Sequence, residues 1–321
     1  MNIFYPVQLL ADWLTYNIFN IAPKTLLASS INFFIFDTIK IFILLTLIIF
    51  IVSIIRSYLP PQKIRLVLSH KKTYIGNILA SLLGIITPFC TCSAIPLFLG
   101  FIQAGVPLGV TFSFLIASPM INEVALILLL SLFGWKIALL YITSGLIIAI
   151  ISGIIIGKMK VDNLLEPFVL QNVEDKSTNS LKISFNKRII YAKKYTLNTL
   201  KKVWLYILIG VGIGAWIHGY IPSNFLVEYL GGDKWYAVPI AVLIGIPLYS
   251  NPAGVIPLVG VLTEKGVAMG TTLAFMMAVT GLSLPEFLIL KKIMKPKLII
   301  IFGCIVATGI MLTGFLFNMV L

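Results

Sequence analysis

Six long apolar runs, near 33–56, 107–133, 136–157, 203–220, 267–290 and 298–320, constrain this chain most. Each approaches the roughly 20 residues that a helix needs to cross a bilayer core. Across 321 residues the mean hydropathy is +1.05, with 59% hydrophobic and only 11% charged residues, far from a soluble globular composition. The expected class is an all-α polytopic protein, multi-pass in the cell inner (plasma) membrane. Residues 1–32, with Trp13 and Tyr16, read as an interfacial lead-in, and no basic n-region ahead of an apolar core marks a cleaved signal.

The formal charge of +13 sits between the spans. Arg56, Lys63, Arg65, Lys71 and Lys72 form one basic segment. Lys182, Lys187, Arg188, Lys193, Lys194, Lys201 and Lys202 form a second, and Lys291, Lys292, Lys295 and Lys297 a third. The positive-inside rule places all three in the cytoplasm. No aromatic-interleaved basic domain surrounds them, so nucleic acid is not an expected partner. The expected organisation is a first transmembrane repeat over 33–157, a basic cytoplasmic loop over 158–202 and a second repeat over 203–321.

Two further apolar segments, 75–103 and 237–263, are interrupted midway. The first break is Thr87-Pro88-Phe89-Cys90-Thr91-Cys92-Ser93-Ala94-Ile95-Pro96; the second is Pro247-Leu248-Tyr249-Ser250-Asn251-Pro252. Pro88, Pro96, Pro119, Pro247 and Pro252 are the expected helix breaks, because proline disfavours helix in the turn before it. Full crossings at both segments would leave a basic loop outside, so re-entrant hairpins are preferred, with eight full crossings as the rival. Sliding the chain by 161 positions superposes Gly84 on Gly245, Ile95-Pro96-Leu97 on Ile256-Pro257-Leu258, Gly105-Val106 on Gly266-Val267, Gly109 on Gly270 and Phe114 on Phe275. An odd number of crossings per copy would invert the copies in the membrane, the architecture of secondary transporters.

The chemistry falls in the breaks. Cysteines at i and i+2 lie roughly 200° apart on a helix but on one face of an extended strand, the form the prolines favour. A half-helix beginning at Ser93 or Ala94 would stabilise thiolates at Cys90 and Cys92 through its positive end. Paired thiolates suit a thiophilic ion or trivalent metalloid, which makes this pair the candidate transient metal ligands. Thr91, Ser93, Asn122, Ser250 and Asn251 are the candidate polar contacts. Glu123, in Ala117-Ser118-Pro119-Met120-Ile121-Asn122-Glu123, is the candidate proton carrier, since a carboxylate at membrane depth is costly enough to imply function. Glu286 is expected to pair with Lys291 or to cap a helix. Cys304 reads as a small hydrophobe, and His70 and His218 have no companion ligands. No nucleotide-binding loop and no nucleophile–His–carboxylate grouping occurs. Neither catalysis nor a cofactor is expected; the expected partners are the lipid bilayer and a small solute or metalloid.

These four motifs, 87–96, 117–123, 247–252 and Leu284-Pro285-Glu286, resemble those of the predicted permease family related to the organoarsenical efflux permeases, the YraQ-like permeases. The resemblance covers about 75–320 and implies a transporter, with efflux of trivalent arsenicals in one branch. Thiol redox transfer through Cys90 and Cys92 is the alternative activity, and a non-transporting membrane scaffold the other.

Overall fold

The computed structural model describes residues 4–23, 25–58, 73–86, 91–121, 123–159, 161–170, 185–220, 234–248 and 252–321. The described chain is helical. A short α1 (Tyr5–Trp13) ends in a π-turn at Leu14–Ile18 and lies on α2 (Leu26–Tyr58). Polar side chains hold it there: Gln8 donates to Asp12 and Asn32, at 2.9 and 3.0 Å, and Asn32 donates to Asp12 at 2.7 Å.

There follow α3 (Thr73–Ile86), α4 (Thr91–Gln103), α5 (Leu108–Met120) and α6 (Glu123–Lys158). After a 3₁₀ turn at Val161–Leu164 and the short α7 (Pro167–Leu170) come α8 (Phe185–Tyr220), α9 (Ala237–Gly245), α10 (Pro252–Glu264), α11 (Met269–Gly281), α12 (Leu284–Leu290) and α13 (Pro296–Val320). Among the described residues, four stretches are long and apolar enough to cross a membrane: Leu26–Ile43, Ala125–Lys158, Met269–Leu290 and Pro296–Val320.

The register of 161 governs the helix boundaries as well as the residues. Helix α4 maps onto α10 and α5 onto α11, end for end. Between them the chain turns through Gly105 (φ 79°) and Gly266 (φ 85°), left-handed positions that an L side chain would strain. In each copy the turn closes as a Schellman cap. Val106 N–H donates to Phe101 O and Val267 N–H to Leu262 O, both at 3.0 Å. Helix α6 is two stretches joined at Gly134 (φ 80°, ψ 175°); the matched residue is Lys295, where the second copy leaves helix altogether between α12 and α13.

Close approaches repeat too. A methyl on Gly84 would lie 3.1 Å from Ala117 Cβ and Phe114 O; one on Gly245 would lie 2.8 and 3.2 Å from the matched Ala278 Cβ and Phe275 O. Val238 and Ala274 both press on Gly314, while Gly245 meets Ala278. Positions therefore advance together along α9 and α11, and the two helices run in the same direction. For that to happen, α10 must bring the chain back antiparallel to α9, an arrangement common to the re-entrant reading and to its rival of full crossings.

The centre of the molecule is the pair α5 and α11, buried from Gly109 to Met120 and from Gly270 to Gly281. They meet each other, and a methyl on Gly281 would lie 3.3 Å from Met120 Cε. Tyr141, fully buried, donates to Met120 O at 2.8 Å, closing the end of α5 where its carbonyls lack helical partners. An aromatic chain, Phe98–Phe112–Phe302–Phe287, with centroids 5.2, 5.7 and 6.3 Å apart, joins α4 through α5 to α13 and α12.

Three features depart from the sequence reading. Residues 185–202, taken as loop, are the first half of α8, which matches α2 in the register and packs along it. Their lysines hid the helix from an apolar-run criterion. The runs 107–133 and 267–290 are each two helices, the first of each ending at Met120 and at Gly281. Pro96 and Pro119 lie inside α4 and α5 rather than at breaks. Each removes one backbone donor only, and Pro119 does so in the last turn, one residue before α5 ends.

Candidate functional site

The site elements are the two hairpins and the helices that follow the central pair. Helix α4 begins at Thr91, two residues before the expected start, so the backbone at Cys92 is helical and not extended. Its counterpart α10 begins at Pro252, a residue whose missing N–H costs nothing at a first helical position. Two helix N-termini thus stand at matched places, directly after Cys90 in one copy and Asn251 in the other. Glu123 is the first residue of α6, immediately after the break that ends α5. Pro88, Cys90, Asn122, Ser250 and Asn251 lie outside the described residues, and Thr91, Cys92, Ser93, Glu123 and Pro252 are described in their backbone alone. Pro247 follows α9 in the turn, as a break should.

Glu286 is placed differently from its expected role. It is 1% exposed in α12, and neither carboxyl oxygen has a hydrogen-bond partner among the described residues. Lys291, its expected partner, lies at the exposed end of α12, beyond the four residues that would bring it onto the same face. Helix α12 packs on α8 and α4, and its first residue ties it to the second hairpin: Leu284 N–H donates to Ile246 O at 2.9 Å. An unpartnered buried carboxyl costs about 1–3 kcal/mol. Glu286→Leu is therefore expected to raise the thermal midpoint of the detergent-solubilised protein, checked by differential scanning fluorimetry; a lowered midpoint would show a partner for the carboxyl.

Sequence reasoning also missed four polar residues of the first copy. Asn77, Ser81, Ser113 and Ser118 are buried, and their side-chain nitrogen and oxygen atoms have no partner among the described residues. The available signal was the register itself, which sets them against Val238, Val242, Ala274 and Val279.

Cys304 is exposed on α13. Cys304→Ala is accordingly expected to change stability by no more than about 0.5 kcal/mol. The same scanning assay checks this, with retained transport as a second readout. Among the described residues, no group of three or more His, Cys, Asp and Glu side chains could hold a metal ion.

Register-matched helical copies, each with a buried central helix, define a polytopic all-α membrane protein. The chain belongs to the ArsP_1 family, described as a predicted permease, which matches residues 26–319. It is 25% identical over 296 residues to the UPF0718 protein MJ0584 of Methanocaldococcus jannaschii, covering 74% of this chain and 80% of that one. It is 25% identical over 258 residues to a putative two-component membrane permease complex subunit of Streptococcus mutans, covering 78% and 79%. Against the UPF0718 protein YraQ of Escherichia coli it is 22% identical over 245 residues, covering 74% and 66%. No solved structure matches the chain significantly.

Proposed function

We propose that this permease is a secondary exporter of a soft, thiol-reactive solute, with trivalent organoarsenicals or related metalloids as the substrate class. Cys90 and Cys92 serve as transient thiolate ligands, and Thr91, Ser93, Asn122, Ser250 and Asn251 supply the polar contacts. The observation that carries this reading is the start of α4 at Thr91, between the two cysteines. A helix N-terminus there favours the thiolate over the thiol, and thiolate pairs select soft metalloids over sodium or magnesium. The matched start of α10 at Pro252 gives the second hairpin the same geometry without the sulfur. With an odd number of crossings in each copy the two hairpins enter from opposite faces of the inner membrane, and exchanging their conformations alternates access.

Glu123, at the start of α6, carries the coupled proton. Uptake of methylarsenite into inside-out vesicles, with and without a proton gradient, tests the reading. Accumulation that depends on the gradient and on this protein is expected; none, across a panel of metalloids and soft metals, would refute it. Glu123→Gln keeps the shape but fixes the neutral form. It should lose gradient-driven accumulation and keep exchange of substrate down its own gradient.

A further inference from the structure

The two copies differ systematically in one respect, and the second acts as an internal control for the first. At the junction of α9, α11 and α13, Val238 Cγ1 and Ala274 Cβ lie 2.7 and 2.9 Å from the place a methyl on Gly314 would take. The register-matched trio in the first copy is Asn77 on α3, Ser113 on α5 and Gly153 on α6, where Ser113 Oγ indeed presses on Gly153. One turn along α3 from Asn77 is Ser81, set against Val242, and on the next turn a methyl on Gly84 would lie 3.1 Å from the backbone N of Ser118, which is set against Val279. Asn77, Ser81 and Gly84 share one face of α3, at i, i+4 and i+7, and Gly84 shows that this face looks at α5. Asn77, Ser81 and Ser113 are 0% exposed and Ser118 is 1% exposed, and all four are unpartnered among the described residues.

The second copy packs the same backbone with Val238, Val242, Ala274 and Val279, so the packing does not require polar groups. Unpaired amides and hydroxyls at membrane depth are costly. At these four matched positions, among the described residues, the copies differ in use rather than in architecture.

We propose that a hydrophilic passage for solute runs along the α3–α5 seam of the first copy, from Asn77 and Ser113 to Ser81 and Ser118, with the matched α9–α11 seam of the second copy as its apolar counterpart. Seven residues of α3 separate Asn77 from Gly84, so the seam is about 10 Å long. It offers neutral donors and acceptors and no charged group, which fits a small uncharged solute bearing hydroxyls. The neutral hydroxide form of a trivalent metalloid meets that description and an oxyanion does not. In that respect the inference rests on the proposed function; the location of the passage does not.

The test uses the full chain in vesicles with Cys90, Cys92 and Cys304 replaced by serine. Single cysteines are introduced by Ser81→Cys, Ser118→Cys, Val242→Cys and Val279→Cys. Neutral 2-hydroxyethyl methanethiosulfonate reacts with thiolates, which form where water reaches. Modification is read by intact mass, with detergent-unfolded protein as the control for intrinsic reactivity. Positions 81 and 118 are expected to react at least about 10-fold faster than 242 and 279. Equal rates at all four, or protection of 81 and 118, would overturn the proposal and leave the polar groups as holders of buried water. A second arm, in the otherwise unaltered chain, uses Asn77→Val with Ser81→Val, which copies the second repeat. Methylarsenite uptake should fall at least about 10-fold with an unchanged or raised thermal midpoint, because apolar residues suit this packing. Undiminished uptake by that variant would overturn the passage. If the unaltered chain moves no methylarsenite, the thiol-reactive substrate class fails, and the labelling arm still decides the passage.

Discussion

Gly109→Ala and Gly270→Ala, made one at a time, are each expected to destabilise the protein by at least about 3 kcal/mol and to cut the yield of folded, membrane-inserted chain severely. A methyl on Gly109 would run into Gly153 O and lie 2.9 Å from Gly157 Cα. One on Gly270 would run into Gly314 O and lie 2.6 Å from Asn318 N. These obstacles are backbone, which cannot rotate away as a side chain can. Small residues are what let helices approach this closely in lipid, where no hydrophobic effect drives them together. The second copy adds a clasp that the first lacks: Asn318 Oδ1 accepts from Thr271 N–H, and Asn318 Nδ2 donates to Thr271 Oγ1, both at 3.1 Å. Gly260→Ala on α10 is the control. No neighbour lies within 4 Å of its added methyl, so the change should be neutral or stabilising by up to about 1 kcal/mol. Midpoints and monodisperse yield after solubilisation measure all three. Normal stability in Gly109→Ala would mean that α5 and α6 do not cross at these glycines.

Cys90→Ser and Cys92→Ser are each expected to abolish methylarsenite transport, at least about 100-fold, while membrane expression stays near that of the unaltered chain. A serine hydroxyl remains protonated near neutral pH and is a poor ligand for a soft metalloid. The thiolate stabilisation proposed for the N-terminal end of α4 has no counterpart for an alcohol whose ionisation lies far above neutrality. Uptake into inside-out vesicles reads the effect, and immunoblotting of the membrane fraction controls for expression. Transport retained by the double variant would remove thiol coordination from the mechanism.

Apolar run length made the membrane class legible in the sequence, since bilayer thickness sets one length for every crossing helix. The 161-residue register was legible for a similar reason. Gly105 and Gly266 must adopt positive φ, and Gly109 and Gly270 must admit a second backbone, so neither pair can drift to a larger residue without strain or collision. What hid was the ionic half of α8. A lysine-rich helix and a lysine-rich loop look alike to a hydropathy reading, whereas pairing with α2 makes residues 185–202 helical. The prolines misled in the opposite direction. Local preference marked Pro96 as a break, yet α4 continues through it, packed by Phe98 against Phe112 and by Phe101 against Phe114.

Membrane residence, helical class and internal repetition all follow from local composition and spacing. Folding alone puts α5 and α11 at the buried centre, runs α9 and α11 the same way, and encloses Glu286 with no partner among the described residues. It also buried the polar groups of α3 and α5 without partners among the described residues, where the register had only matched them to apolar counterparts. The physical reason is burial, which depends on residues brought together from distant parts of the chain. A glutamate near a basic turn reads as solvated until a neighbouring helix covers it, and a serine in an apolar helix reads as incidental until the matched position shows that valine fits there.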